Sequence, residues 1–189
     1  RERYQILLNR RAGLPKPWTR DKILQTYSFC NIRREDDKTT AWFHEAFRSS
    51  LKVTVFSCVA FRFFNRIETG KVLVRHDLLV NWDAGLARRV LKNLKPLVTG
   101  AYMIHSPIGF NKLNGVIELL KPVWGEQQAG KLDLKGSTLQ QAHERLMEFP
   151  CVGSFMAYEA VTDLRHTPIL NQATDIMTWA APGPGAARG

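Results

Sequence analysis

Apolar residues recur at helical spacing along most of this chain. Tyr4, Leu7 and Leu8, with Arg11 one turn on, predict a helix over 1–12, stopped by Gly13. Leu14-Pro15-Lys16-Pro17-Trp18-Thr19 reads as a proline-punctuated loop, and Thr19 as the N-cap of a helix that begins Arg20-Asp21-Lys22 and carries Ile23, Leu24 and Tyr27. Trp42, Phe43, Ala46 and Phe47 share one face of a helix expected over 36–50. Residues 51–67 hold a long apolar run, rich enough in β-branched residues for a buried strand. Its length, its lack of proline and glycine, and the polar positions Arg62, Asn65 and Arg66 favour a buried helix. Further helices are expected over 81–97 and, as a short one, 111–121. A Gly/Lys-rich connection follows over 122–136. The last two helices are expected over 137–149 and, with Ser154 as cap, up to Leu164. No β-hairpin signal interrupts this series, so the fold class expected is all-α.

The break between the last two helices carries chemistry. Phe149-Pro150-Cys151-Val152-Gly153 joins two amphipathic segments by a tight turn, the layout of a helix-hairpin-helix element. In such a hairpin, glycine lets the backbone approach a DNA phosphate, and the N–H groups opening the second helix become its ligands. Pro150, Val152, Gly153 and Ala157 match the pattern LPGVG-xx-A, whereas Cys151 replaces its first glycine and is poorly suited to φ > 0. Val152, Gly153 and Ser154 are therefore candidate phosphate contacts. Glycosylases built on this hairpin place an essential aspartate about twenty residues downstream, and Asp175 lies 22 residues beyond Gly153 (175 − 153). Phe155 stands near the position of the lysine nucleophile in the lyase-competent branch and cannot form a Schiff base.

Charge sharpens this picture. The 189 residues carry 27 Lys+Arg against 17 Asp+Glu, a formal net charge of +10, and 44% are hydrophobic. Such a chain buries a core, which excludes a disordered tail. Residues 1–100 hold 20 Lys/Arg and 9 Asp/Glu, a net of +11, while 101–189 hold 7 and 8, a net of −1. A basic half favours a polyanionic partner, nucleic acid before a membrane surface. The expected organisation is one helical domain over 1–189, with a basic first half and a second half holding the hairpin and a Gly/Pro loop. Three cysteines without CxxC spacing argue against a disulfide framework and fit a reducing compartment inside the cell. No run of about 18 apolar residues is present, so no membrane span is expected. The five histidines show no ligand spacing, and neither a metal nor another cofactor is expected. No G-x-x-x-x-G-K-[ST] run is present. The start at Arg1 and the end at Gly189 suggest a fragment of a longer chain.

Several ordered stretches resemble one family: PKPWTRDKIL (15–24), FCNIRREDD (29–37), FRFFN (61–65), GAYMI (100–104), VGSFMAYE (152–159), DLR (163–165) and PGPGAARG (182–189). The family is that of the α-glutamyl/putrescinyl thymine pyrophosphorylases, with its close relative, the helical domain of 5-hydroxymethyluracil DNA kinases. The resemblance implies a divergent helix-hairpin-helix DNA glycosylase-like fold and DNA carrying a modified thymine as partner. It implies that an amine donor displaces pyrophosphate from an activated 5-hydroxymethyl group. In the kinase-linked version it implies base recognition for an associated P-loop kinase. Under it, Arg33, Arg34 and Arg62 would neutralise the leaving group, with Asn65 beside Arg62 in the same segment. Gly183, Gly185 and Gly189 would offer backbone N–H groups to phosphate. Asp37 or Asp175 would deprotonate or orient the amine, and Trp18, Tyr102 and Tyr158 would stack on an extruded base. Two further readings stay open: a non-catalytic nucleic-acid-binding or assembly module on the same fold, and a monofunctional DNA base glycosylase.

Overall fold

The computed structural model describes residues 1–27, 29, 31–47, 52–100 and 106–188. Among them every regular element is a helix: α1 (Glu2–Arg11), α2 (Lys22–Thr26), a 3-10 turn (Arg34–Asp36), α3 (Lys38–Phe47), α4 (Val55–Phe64), α5 (Ile67–Arg75), α6 (Ala84–Leu91), α7 (Lys112–Gln128), α8 (Leu139–Met147), α9 (Ser154–Leu164) and α10 (Pro184–Arg188). The all-α class read from periodicity is the class found. None of these helices is long and apolar enough to cross a membrane.

The chain forms two compact units, Arg1–Ala41 and Trp42–Gly189. The change of charge near residue 100 falls inside the second unit and marks no architectural boundary. In the first unit α2 starts from Asp21, whose carboxylate accepts from the N–H groups of Ile23 and Leu24 at 2.7 and 3.1 Å. Thr19, the expected cap, instead accepts from the Asp21 N–H at 3.0 Å. A carboxylate two residues nearer the first free N–H groups is the better ligand for them. Arg11 pairs with Asp36, and the Arg33 guanidinium donates to the Tyr4 hydroxyl at 2.8 Å while lying over its ring.

The second unit is organised around α4, all ten residues of which are buried. A helix apolar all round belongs inside. Thr54 and Ser57 close its start as a capping box, each side-chain oxygen accepting from the other's backbone N–H at 3.1 Å. Asn65 ends it in the left-handed region, at φ 45°, which asparagine tolerates better than most residues. Helix α4 packs on α9, α7 and α5, α8 packs on α9, and α6 on α5 and α7. Phe61 stacks flat on Phe43, with centroids 4.3 Å apart. At Gly70 in α5 a Cβ would lie 2.4 Å from the Trp42 ring, so the close approach of that indole needs glycine.

Four elements depart from the expected pattern, one of them α10, which stands where a Gly/Pro loop was expected. Helix α5 has no counterpart in the sequence reading. Helix α7 runs on through Pro122 to Gln128 where a connection was expected; the buried Leu119, Leu120 and Val123 hold it against α4, which offsets the one hydrogen bond that proline removes. Helix α6 ends at Leu91 rather than near Leu97.

Candidate nucleic-acid interface

The hairpin is built as α8, a turn over 148–153, and α9. Phe149 and Val152 are buried and anchor the turn, while Pro150, Cys151 and Gly153 face solvent. Cys151 adopts φ 60°, the left-handed conformation the pattern assigns to glycine. The backbone therefore takes the left-handed conformation here despite the side chain that argued against it. Val152 is a packing residue, and its side chain is not offered to a ligand.

The two helix starts differ. Every early N–H group of α8 has a partner: Thr138 accepts from Gln141 N at 3.0 Å, and Asp175 accepts from Leu139 N at 2.7 Å and Gln140 N at 3.1 Å. Helix α9 has Gly153 as its N-cap and no side-chain cap at all. Ser154, expected as that cap, is instead the first helical residue, and its hydroxyl lies 3.2 Å from His143 Nε2. A Cβ on Gly153 would meet none of the described atoms within 4 Å. The N-terminal dipole end of an eleven-residue helix without a side-chain cap suits an anionic oxygen. His143, Trp179 and Tyr158 form an aromatic group behind it: the His143 ring lies 5.3 Å from Trp179, and Tyr158 meets Trp179 edge-on at 5.8 Å. Phe155 and Met147 are exposed on the hairpin.

Beneath α9 lies a closed polar network. Arg62 donates from Nε to Asp163 Oδ2 at 2.7 Å and from Nη2 to Oδ1 at 2.6 Å. Its Nη1 donates to Asn65 Oδ1 at 2.9 Å and lies 3.6 Å from Glu159 Oε2. His44 Nε2 is 3.1 Å from Asp163 Oδ1. Burial by itself pushes the Asp163 carboxyl up, but the Arg62 charge and the hydrogen bonds from His44 and Arg62 outweigh it and hold the group below its ordinary value. Burial, and then the Asp163 charge, push the neighbouring Cys58 thiol well up. Arg62, at 0% exposure, thus meets protein carboxylates. In this arrangement it positions α4 against α9 and is not open to a leaving group; Asn65 shares that role. The partners Asp163, Glu159 and His44 carried no role in the sequence reading. A cation in an apolar helix demands buried carboxylates, and Glu159 and Asp163, four apart on α9, are the signal that answers it.

The remaining candidates are dispersed. Asp37 ends the 3-10 turn and accepts from Thr40 N at 2.8 Å, and Arg34 opens that turn. Trp18 folds back on its own loop, its Nε1 donating to Leu14 O at 2.7 Å beneath Lys16. Gly183 and Gly185 are exposed, but neither takes a positive φ, and Pro184–Arg188 forms a helical turn instead of the expected loop. A phosphate nest alternates right- and left-handed residues, so this segment is not one. Tyr102 and Gly189 lie outside the described residues. The spacing Gly125, Gly130, Lys131 ends on Leu132 and occupies the C-terminal end of α7, whereas a P-loop needs Ser or Thr there and a helix start. Among the described residues no group of three His, Cys, Asp or Glu converges as a metal site would.

Comparison with known proteins places this chain. The pattern of the family described as "5-hmdU DNA kinase, helical domain" matches residues 1–189. A curated relative, the 5-hmdU DNA kinase of Bacillus phage SP10, is 25% identical over 206 residues, which cover 94% of this chain. The chain spans about a third of that relative's length, 32%. No solved structure matches. An all-α chain matched by this family from its first residue to its last belongs to the family of 5-hmdU DNA kinase helical domains.

Proposed function

We propose that this domain holds DNA containing 5-hydroxymethyluracil for a kinase active site carried by another domain or chain. The observation that carries the reading is the contrast within the hairpin: the start of α8 is capped by the side chains of Thr138 and Asp175, whereas that of α9, behind Gly153, has no side-chain cap. A phosphate of the bound strand completes the α9 start, and the exposed Phe155 lies beside it. The family match supports DNA as the partner and phosphorylation of the hydroxymethyl group as the reaction served. Transfer of an amine gains no support from the geometry, because Asp37 and Asp175 both serve as caps. The glycosylase reading loses its aspartate for the same reason.

The test is fluorescence anisotropy with matched duplexes carrying thymine or 5-hydroxymethyluracil at one position. Tighter binding of the modified duplex is expected, and Gly153→Asp is expected to weaken binding of both duplexes while the helical circular dichroism persists. Equal affinity for both duplexes, untouched by Gly153→Asp, would remove the proposal.

A further inference from the structure

A second feature lies between α6 and α7. The C-terminal end of α6, the segment following it and the first turn of α7 enclose a cleft of about 540 Å³. Arg88, Arg89, Lys92, Lys95 and Lys112 line it, with four leucines (91, 94, 97 and 113) and two asparagines (111 and 114). No carboxylate is among these lining residues. One of the cations, Arg88, is held by Glu118 at 3.1 Å and by Asn114 Oδ1 at 3.1 Å. Arg89, Lys92 and Lys95 are exposed, and the ion pairs found in the described chain do not include them.

The dipole at the end of α6 accounts for Arg88 and Arg89. It reaches the C-cap Lys92 as well, but it does not account for Lys95, three residues further on. Like charges gathered on one concave surface repel one another, and an apolar floor focuses their field into the cleft. A polyanion relieves that repulsion. A free nucleoside triphosphate is the poorer occupant: no aromatic side chain lines the cleft to take a base, and no carboxylate to take its magnesium ion.

We propose that the α6–α7 cleft binds the phosphodiester backbone of DNA, with Arg89, Lys92 and Lys95 as phosphate contacts and Asn111 as a neutral donor at the rim. It rests on the reading of DNA as the partner and adds a sequence-independent grip to the hairpin. The contacts made here do not sense the base, so the cleft supplies sequence-independent affinity.

The experiment titrates the chain with the same two duplexes at three salt concentrations, comparing wild type, Gly153→Asp and the triple variant Arg89→Gln/Lys92→Gln/Lys95→Gln. Circular dichroism melts establish that each variant is folded. The triple variant is expected to bind both duplexes more weakly by the same factor, with the slope of log K against log salt reduced by about 2–3. An unchanged slope in the triple variant, with binding lost in Gly153→Asp, overturns the cleft and leaves the hairpin reading standing. Loss in the triple variant, with Gly153→Asp behaving as wild type, supports the cleft and removes the hairpin. Wild-type protein that binds neither duplex overturns both. Binding of Mg·ATP or of an equal-length RNA through these residues in preference to DNA overturns the assignment of the occupant.

Discussion

Arg62 and Asp163 stand 101 residues apart in the chain and meet as a bidentate pair at 2.6 and 2.7 Å, both excluded from solvent. The pair joins the central helix α4 to the second helix of the hairpin, adding a buried polar contact to the packing that supports the candidate interface. Taking Asp163 away leaves the buried Arg62 with Asn65 and the longer contact to Glu159 in place of its bidentate partner.

Asp163→Leu is therefore expected to destabilise the chain by about 3–5 kcal/mol in urea unfolding, the range for breaking a buried pair. The double variant Arg62→Met/Asp163→Leu removes both charges and is expected to recover much of that loss. A double variant as unstable as the single one would show that Arg62 contributes mainly through packing.

The same pair sets a pH dependence. The Asp163 carboxyl is held below its ordinary value in the folded chain and returns to that value on unfolding. Its contribution is therefore present above the ordinary carboxylate range and is lost as pH falls through the lowered folded-state value. The stability difference between wild type and Asp163→Asn is expected to shrink as pH falls below about 4. Urea midpoints of the two proteins, measured side by side across this range, check it.

Cys151 occupies the left-handed region at φ 60° with an exposed side chain. Left-handed backbone costs an ordinary L-residue about 1–2 kcal/mol, part of which glycine gives back through its freer unfolded chain. Cys151→Gly is expected to raise stability by about 0.5–1 kcal/mol on balance. Cys151→Val, β-branched, is expected to lower it. Thermal melts that rank the two variants the other way would show that the turn relaxes to another conformation.

Asp175 separates a structural role from a chemical one. As the carboxylate that caps α8 it is expected to lose about 1 kcal/mol on replacement by alanine. Asp175→Asn keeps an acceptor at the same position and is expected to retain both fold and DNA affinity. A folded Asp175→Asn chain that has lost all function in the complete kinase would restore the catalytic reading.

Much of the secondary structure is legible in the sequence because helical periodicity is local. The stripes of α1, α4 and α9 and the Thr138 start of α8 each lie within a few residues. The hairpin is legible for the same reason: Pro150, Val152 and Gly153 fix a turn that depends on neighbours alone. Helix α7 is only half legible, since Pro122 signals a stop that packing on α4 overrides. The 182–188 segment misleads in the other direction, because two glycines and two prolines suggest a loop where a turn of helix forms.

What the sequence by itself determined is the all-α class, the hairpin and the excess of positive charge. What only the tertiary structure decided is which polar groups meet. It gave Arg62 to Asp163, turned Asp175 into a cap, and gathered Arg89, Lys92 and Lys95 around one cleft with Lys112. The reason is physical. A helix follows from residues three and four apart, but the partner of a buried charge, or the convergence of several exposed ones, depends on segments that folding alone brings together.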